Sequence, residues 1–276
     1  MIQQIRDIAA QLASVYPQDE ADSLAWWIAE ELTGLSRTQL QIGCKGTTIF
    51  ANMQKIQEII DRLLHFEPIQ YIFGHTLWNG LDLLVTPATL IPRPETADLV
   101  ETISNHFKQP QTTSNFHVLD VGTGSGCIAI ALKKAHPEWQ VTGIDISSEA
   151  IEVASENAKR NSVEVDFKVA DIFDFNGDFD IVVSNPPYIC ESEKISMRPN
   201  VLNYEPASAL FVPDNDPLRF YRCIAELKLG KYLFFEINEA YPAELSAMLD
   251  SLGYTDIHLT HDIYGKPRII EARMAR

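Results

Sequence analysis

What most limits the fold of this chain is a series of short apolar runs in its middle, each closed by a small or polar residue. The first, His117-Val118-Leu119-Asp120-Val121, leads into Gly122-Thr123-Gly124-Ser125-Gly126 and then into Ile128-Ala129-Ile130-Ala131-Leu132. A run of that length, a glycine loop and a further apolar segment read as strand, tight turn and helix. A second run from Gln140 to Ile144 closes on Asp145, a third from Val163 to Ala170 closes on Asp171, and a fourth from Phe179 to Ser184 closes on Asn185-Pro186-Pro187-Tyr188. Strands alternating with helices build a parallel sheet whose strand ends share one edge, the edge where α/β folds bind ligands. The expected fold class is α/β, with a doubly wound, mostly parallel sheet.

The glycine spacing is G-x-G-x-G, and Cys127 stands where a dinucleotide fingerprint would have its third glycine. That disfavours a nicotinamide-linked oxidoreductase while leaving room for a nucleotide-like ligand. Asp145 lies about 20 residues beyond the loop, where an acid meets ribose hydroxyls in such sheets.

Asn185-Pro186-Pro187-Tyr188 is stiff, because each proline fixes its own φ and pushes the preceding residue out of the α region. The prolines donate no N–H, so the turn offers chiefly acceptors, the Asn185 side-chain oxygen and the Pro186 carbonyl. Two fixed acceptors suit an NH2 group. An amide or aromatic amine is a poor nucleophile because its lone pair is delocalised. Accepting both N–H bonds would enrich the nitrogen and aim it at an electrophile, with Tyr188 packed against the flat group, by positioning and electrostatics and without an obligatory base. Pro-Pro after a strand can also be a stiff loop and no more. Taken with the three other strand ends, it points to methyl transfer onto a planar nitrogen.

The order Asp120-Val121-Gly122-Thr123-Gly124-Ser125-Gly126, Asp145, Asp171, Asn185-Pro186-Pro187-Tyr188 resembles the S-adenosylmethionine-dependent methyltransferases that modify exocyclic or amide nitrogens. Gln70-Tyr71-Ile72-Phe73-Gly74, Ile91-Pro92-Arg93-Pro94-Glu95-Thr96 and Asn203-Tyr204-Glu205-Pro206-Ala207-Ser208-Ala209-Leu210 narrow the resemblance to the peptide chain release factor glutamine methyltransferases, the PrmC or HemK family. It runs from about Gln70 to the C-terminus. It implies a class I, Rossmann-like methyltransferase domain with a seven-stranded sheet, and N5-methylation of the glutamine in the Gly-Gly-Gln loop of class I release factors. By position, Gly122, Thr123, Gly124, Ser125 and Gly126 would cradle the methionine part of the cofactor, Asp145 the ribose, and Asp171 with Ile172 the adenine. Asn185, Pro186, Pro187 and Tyr188 would hold the glutamine, Asn185 also bordering the cofactor. Asn185, Pro186 and Tyr188 would be catalytic, and Arg93 would lie close by on the substrate side. The chain departs from the family pattern at Ala97, where an acid is common, and at Leu229-Gly230-Lys231, where Pro-Gly-Gly is usual.

A formal net charge of −16, from 22 Lys and Arg against 38 Asp and Glu, disfavours an extended phosphate-binding surface and suits a basic protein partner, although excess acid also serves solubility. Cys44, Cys127, Cys190 and Cys223 form no C-x-x-C, so neither a metal site nor a disulfide framework is expected, and a reducing compartment is. The N-terminus has no apolar core of a leader and no apolar stretch approaches membrane-spanning length. A cytoplasmic, monomeric enzyme acting on neither membrane nor nucleic acid is expected.

Three parts are expected: a helical substrate-binding domain over 1–70, a hairpin linker over 71–90 and a methyltransferase domain over 91–276. Helical spacing links Ile5, Ile8, Leu12 and Val15, then Leu24, Trp27, Ile28 and Leu32 up to Gly34, then Ile56, Ile59, Ile60, Leu63 and Leu64. Ser36 and Gln39 predict a capping box. Adjacent Trp26 and Trp27 cannot both face one core, which leaves one for a neighbouring domain or partner. Pro68 ends the bundle, and Asn79-Gly80 predicts a hairpin from Ile72 to Val85. A helix follows from Glu95 to Phe107, then a polar loop from Gln109 to Asn115. The stretch from Ile189 to Asn215 has no clear period and reads as a lid or binding loop, with Tyr204-Glu205-Pro206 either contacting a partner or burying a structural acid. Asp216-Pro217 reads as the entry to a helix. Then come a strand from Tyr232 to Ile237, a helix from Pro242 to Leu252, and strands from Asp256 to Thr260 and Arg268 to Arg273. His258-x-x-His261 faces opposite sides of a strand, and Glu236 with Glu239 makes no convincing acid/base pair. Two other functions stand open on the residues alone: an adenine-N6 nucleic-acid methyltransferase, which would use the same acceptors on a flipped base, and a non-catalytic S-adenosylmethionine-binding adaptor.

Overall fold

The computed structural model describes residues 2–43, 53–108 and 115–275. Cys44 and the loop expected from Gln109 onward, except Asn115, lie outside them. Contacts divide the chain into two units, residues 1–74 with 199–204, and 75–198 with 205–276.

The first unit is helical: α1 (Ile2–Leu12), α2 (Gln18–Thr33), α3 (Arg37–Ile42), α4 (Met53–Leu64) and α5 (Ile69–Phe73). Its core joins Ile5, Ile8 and Leu12 of α1 to Ile28 of α2, Leu40 of α3 and Ile56, Ile60 and Leu63 of α4. Val15 lies beyond the end of α1 and is exposed. The buried stripe of α2 is Ala21, Ala25, Ile28 and Ala29, not Leu24, Trp27 and Leu32. Alanines let α1 approach closely, and the larger side chains close the flanks of the same core. Both tryptophans take flank positions within this unit: Trp27 Nε1 donates to Glu31 at 3.2 Å, and the Arg37 guanidinium lies 4.8 Å above the Trp26 ring. Ser36 and Gln39 form the predicted capping box.

In the second unit, β1 (His75–Trp78) and β2 (Leu81–Leu84) form an antiparallel hairpin. Asn79 and Gly80 both have positive φ, 46° and 72°, as a two-residue turn matched to strand twist requires. The hairpin is shorter than the span from Ile72 because α5 takes the residues up to Phe73. After α6 (Thr96–His106) come β3 (His117–Val121), α7 (Cys127–Ala135), β4 (Gln140–Asp145), α8 (Ser148–Arg160), β5 (Asp166–Val169) and β6 (Phe179–Ser184). Then follow β7 (Ile189–Cys190), α9 (Pro199–Tyr204), β8 (Phe211–Val212), α10 (Arg219–Leu227), β9 (Gly230–Glu236), α11 (Pro242–Ser251), β10 (Tyr254–His261) and β11 (Pro267–Met274).

Seven strands make one sheet in the order β10-β11-β9-β6-β3-β4-β5. β9, β6, β3, β4 and β5 run parallel; β11 runs against them, and β10, antiparallel to β11, returns to their direction. From β3 the chain moves outward through β4 and β5, then returns to the other side of β3 as β6. That reversal opens a crevice at the carboxyl ends of β3 and β6. One core lies on each face of the sheet, one containing Leu132, Trp139 and Phe234, the other Tyr221, Phe235 and Leu249.

Three expectations are corrected. β5 begins at Asp166 rather than Val163, as an edge strand with β4 as its single partner. The stretch from Ile189 to Asn215 is not a plain loop but holds short helical segments and the parallel pair β7 and β8; α9 within it belongs to the helical unit, where the Tyr204 hydroxyl donates to the His65 carbonyl at 2.9 Å, while Pro206, Ser208 and Phe211 line the crevice. α10 starts at Arg219, not Pro217, because the Asp216 carboxylate is held by Arg222 at 2.8 and 3.2 Å and does not cap the helix.

Candidate active site

The crevice is a cavity of about 400 Å³ at the carboxyl edge of the sheet. Gly122, Thr123, Gly124, Ser125, Asp145, Asp171, Ile172, Asn185, Pro186, Pro187 and Arg93 line it, bringing together most of the residues singled out in the sequence. Gly126 and Tyr188 stand behind its wall.

The floor is the glycine loop. Gly122 N and Thr123 N both donate to Ile144 O at 2.9 Å, which ties the loop to the end of β4. Gly126 caps α7 with φ 81°, and a Cβ there would sit 3.0 Å from Phe167 Cζ and 3.1 Å from Ala154 Cβ. Its role is close helix–sheet packing, which aims the N-terminus of α7 at the cavity. Asp145 fastens the loop from the side, one carboxylate oxygen accepting from Gly124 N and the other from Ser147 N, each at 2.9 Å. Below, Asp120 is fully buried. Its Oδ2 accepts from the Thr123 hydroxyl at 2.6 Å and from Ala129 N at 3.2 Å, while Oδ1 has no partner among the described residues. Burial pushes the Asp120 carboxyl up to about 7.

Asp171 caps a single helical turn, its side chain accepting from Phe173 N at 2.9 Å. Beside it Ile146, Ile172, Phe173 and Phe220 give the cavity an apolar wall, with the Arg219 guanidinium 4.7 Å over the Phe173 ring. Ile146, Phe173 and Phe220 were not singled out from the sequence. Ile146 follows directly on Asp145 and Phe173 lies two residues past Asp171, so both were legible from the strand-end acids; Phe220 sits in a helix and carried no signal.

Opposite the glycine loop stands Asn185-Pro186-Pro187-Tyr188. Asn185 Nδ2 donates to Thr96 Oγ1 at 3.3 Å, and Thr96 Oγ1 donates to Glu236 Oε2 at 2.7 Å. The Tyr188 hydroxyl donates to Glu236 Oε1 at 3.3 Å, and its carbonyl accepts from Asn238 Nδ2 at 3.0 Å. The Tyr188 ring packs on the apolar cluster behind the loop. Burial, reinforced by Glu236, holds its phenol above the usual range. Burial likewise raises the Glu236 carboxyl, against the lowering effect of the Thr96 and Tyr188 hydrogen bonds. Glu236 is the last residue of β9, but with the strand expected to run on to Ile237 the rule that picked Asp145 and Asp171 passed over it.

Arg93 is fixed by Glu205. Its Nη2 meets Oε1 at 2.7 Å, Ile91 N donates to Oε2 at 3.3 Å, and Trp78 Nε1 donates to the Arg93 carbonyl at 2.7 Å. Glu205 is therefore the buried structural acid of the two readings given to it. Of the two departures from the family pattern, Ala97 packs half-buried on the core and Gly230 admits Val182 beside it, where a Cβ would come within 2.7 Å of Val182 Cγ2. His258 and His261 are exposed, and no metal-holding group occurs among the described residues. No helix among them is long and apolar enough to cross a membrane.

Residues 3–74 match the PrmC N-terminal domain family and residues 96–202 the methyltransferase small domain family. The release factor glutamine methyltransferase of Bacteroides thetaiotaomicron is 42% identical over 274 residues, spanning 96% of this chain and 97% of that one. That of Flavobacterium psychrophilum is 40% identical, spanning 94% of each. Among solved structures, the hMettl16 catalytic domain, crystallised with an RNA hairpin, superposes with a TM-score of 0.56 at 16% identity, over 71% of this chain and 77% of that one. Human methyltransferase 10 domain containing protein does so at 0.53 and 17%, over 71% and 90%. These two share the fold. By sequence over nearly its whole length, the chain belongs to the release factor glutamine methyltransferases.

Proposed function

We propose that the protein transfers the methyl group of S-adenosylmethionine to the side-chain amide nitrogen, N5, of the glutamine in the Gly-Gly-Gln motif of class I release factors. The observation that carries this is the Asn185 amide, lining the cavity with the glycine loop and held at its amino end by the Thr96 hydroxyl.

The residues fit the cofactor. Gly122 and Gly124 adopt positive φ and keep the floor open to a ligand, and Asp145 and Asp171 border the cavity with the apolar wall between them. Gly122 to Ser125 would hold the methionine part, Asp145 the ribose, and Asp171, Ile172 and the Phe173–Phe220 wall the adenine. The cofactor supplies an electrophilic methyl on a sulfonium.

Asn185 Oδ1 and the Pro186 carbonyl accept the two N–H bonds of the substrate amide, hold its plane and keep electron density on nitrogen. Proline at 187 keeps the Pro186 carbonyl in place, and Tyr188, tied to Glu236 and Asn238, fixes the rear of the loop. Arg93 borders the substrate side of the cavity. Once methylated, an amide nitrogen is acidic enough to release its proton to water, so no side chain is needed as base. The helical unit docks the release factor, the hairpin follows it, and the methyltransferase domain begins near residue 91. The same reading has the protein act as a monomer in the cytoplasm, on a protein and not a nucleic acid.

The test is peptide mass spectrometry after incubation with S-adenosylmethionine and unmodified release factor, beside an adenine-containing duplex. One methyl on the Gly-Gly-Gln glutamine, absent with Asn185→Ala, is expected. Transfer to adenine alone would replace this reading with a nucleic-acid one.

A further inference from the structure

Thr96 has one hydroxyl proton, and that proton lies on the line to Glu236 Oε2, 2.7 Å away. A carboxylate only accepts, so the Thr96 oxygen has nothing but lone pairs for its other neighbour, Asn185. Only the amino end of the Asn185 amide can meet a lone pair, and Nδ2 is the atom found there, at 3.3 Å. The carboxylate thus dictates, through one hydroxyl, which end of Asn185 faces the cavity. Its other oxygen takes the Tyr188 hydroxyl, so a single side chain governs both ends of the Asn-Pro-Pro-Tyr loop. Glu236 itself is buried and does not line the cavity.

We propose that Glu236 is a positioning residue that acts through Thr96 to keep the Asn185 oxygen toward the substrate, selecting a group with two N–H donors over a carboxylate. This rests on the reading of Asn185 as the acceptor for the substrate amide. The orientation is reversible by one proton. A protonated Glu236 can donate to Thr96, whose own proton then turns to Asn185 and is met by the amide oxygen. That leaves the amino end facing the substrate amino group, donor against donor. The groups facing the carboxyl are Thr96 and Glu95 at the start of α6, Tyr188 in the loop, Arg268 on β11 and the Cys127 thiol, with the Tyr221 hydroxyl on the Glu236 carbonyl. Burial and Glu95 favour the proton; Thr96, Tyr188 and Arg268 oppose it. Turnover is therefore expected to fall on the acid side with uptake of one proton, at a pH above that of an ordinary glutamate.

The experiment compares wild type with Thr96→Val, Thr96→Ser, Glu236→Gln and Asn185→Ala, measuring kcat, KM for unmodified release factor, the pH profile, and S-adenosylhomocysteine binding by calorimetry. Thr96→Val should lower kcat by up to about 100-fold, the scale of a misplaced positioning group, with cofactor-product binding unchanged. Thr96→Ser should restore turnover, because it keeps the hydroxyl. Glu236→Gln should be slower and should lose the acid limb of the profile. Impairment of Thr96→Ser equal to that of Thr96→Val would assign Thr96 to packing and overturn the proposal. So would wild-type turnover in Thr96→Val and Glu236→Gln beside an inactive Asn185→Ala, which would leave the reading of Asn185 intact. An active Asn185→Ala would remove that reading itself.

Discussion

Asn157 and Leu84 exchange two hydrogen bonds: Leu84 N donates to Asn157 Oδ1 at 2.6 Å, and Asn157 Nδ2 donates to Leu84 O at 2.9 Å. The same Nδ2 donates to Ser125 O at 2.8 Å, so one fully buried amide on α8 joins the end of the hairpin to the glycine loop. Replacing it with alanine strands buried backbone groups and should cost on the order of 3 kcal/mol, seen as a lower Tm by scanning calorimetry. Asn157→Asp should be worse, because it sets a carboxylate oxygen against two carbonyls. A Tm for Asn157→Asp above that of Asn157→Ala would contradict this account.

Gly126→Ala forces a Cβ into a left-handed position at φ 81° and against Phe167, Ala154 and Ile130. A non-glycine residue in that conformation costs about 1–3 kcal/mol before any clash. The variant should melt earlier and bind S-adenosylhomocysteine more weakly by calorimetry. Phe167→Leu in the same chain should recover only part of the loss, since it removes the crowding and leaves the backbone strain.

Asp120 gives the apoprotein a stability slope of definite sign. Its carboxyl is raised from 3.8 to about 7, so across that window the native state holds a proton that the unfolded chain has released. The contribution is fully present below the lower value and is lost as pH rises through the upper one, at up to about 1.4 kcal/mol per pH unit. Asp120→Asn should flatten that stretch of a Tm-against-pH curve. An unchanged slope would mean that another group is responsible.

Arg93→Ala leaves the Glu205 carboxylate, 6% exposed, with the Ile91 amide as its remaining partner in the pair's place. Glu205 is buried but the Arg93 side chain is 34% exposed, so the loss is expected below the buried-pair scale, at about 1–3 kcal/mol, and read as a drop in Tm. Glu205→Gln should cost less, because a neutral amide needs no counter-charge. The reverse ranking of the two Tm values would show that the ion pair is not what holds the segment at Ile91.

Much of the site was legible because its residues lie at strand ends, where an apolar run stops at a glycine, an acid or an asparagine. That β3, β4, β5 and β6 run parallel with their ends on one edge was expected from the sequence; their order in the sheet was not. The parts that stayed hidden depend on partners distant in the chain. Thr96 and Glu236 meet across 140 positions, and neither side chain has a local pattern that announces the other. The core stripe of α2 was misplaced because large residues suggest a buried face, whereas close approach of α1 selects the alanines. The start of α10 was misplaced because Arg222, one helical turn inside, takes the carboxylate that would otherwise cap it.

The Asn-Pro-Pro-Tyr loop also bears on how the reaction stops. In the proposed reaction a primary amide would arrive with two N–H bonds for the two acceptors, and the transferred methyl would replace one of them with carbon. The product would then leave one oxygen facing a methyl group, and an acceptor without its donor costs about 1–3 kcal/mol. A loop that seated the unmodified glutamine by counting its hydrogens would have a built-in release step, and the once-methylated nitrogen would no longer qualify for a second round.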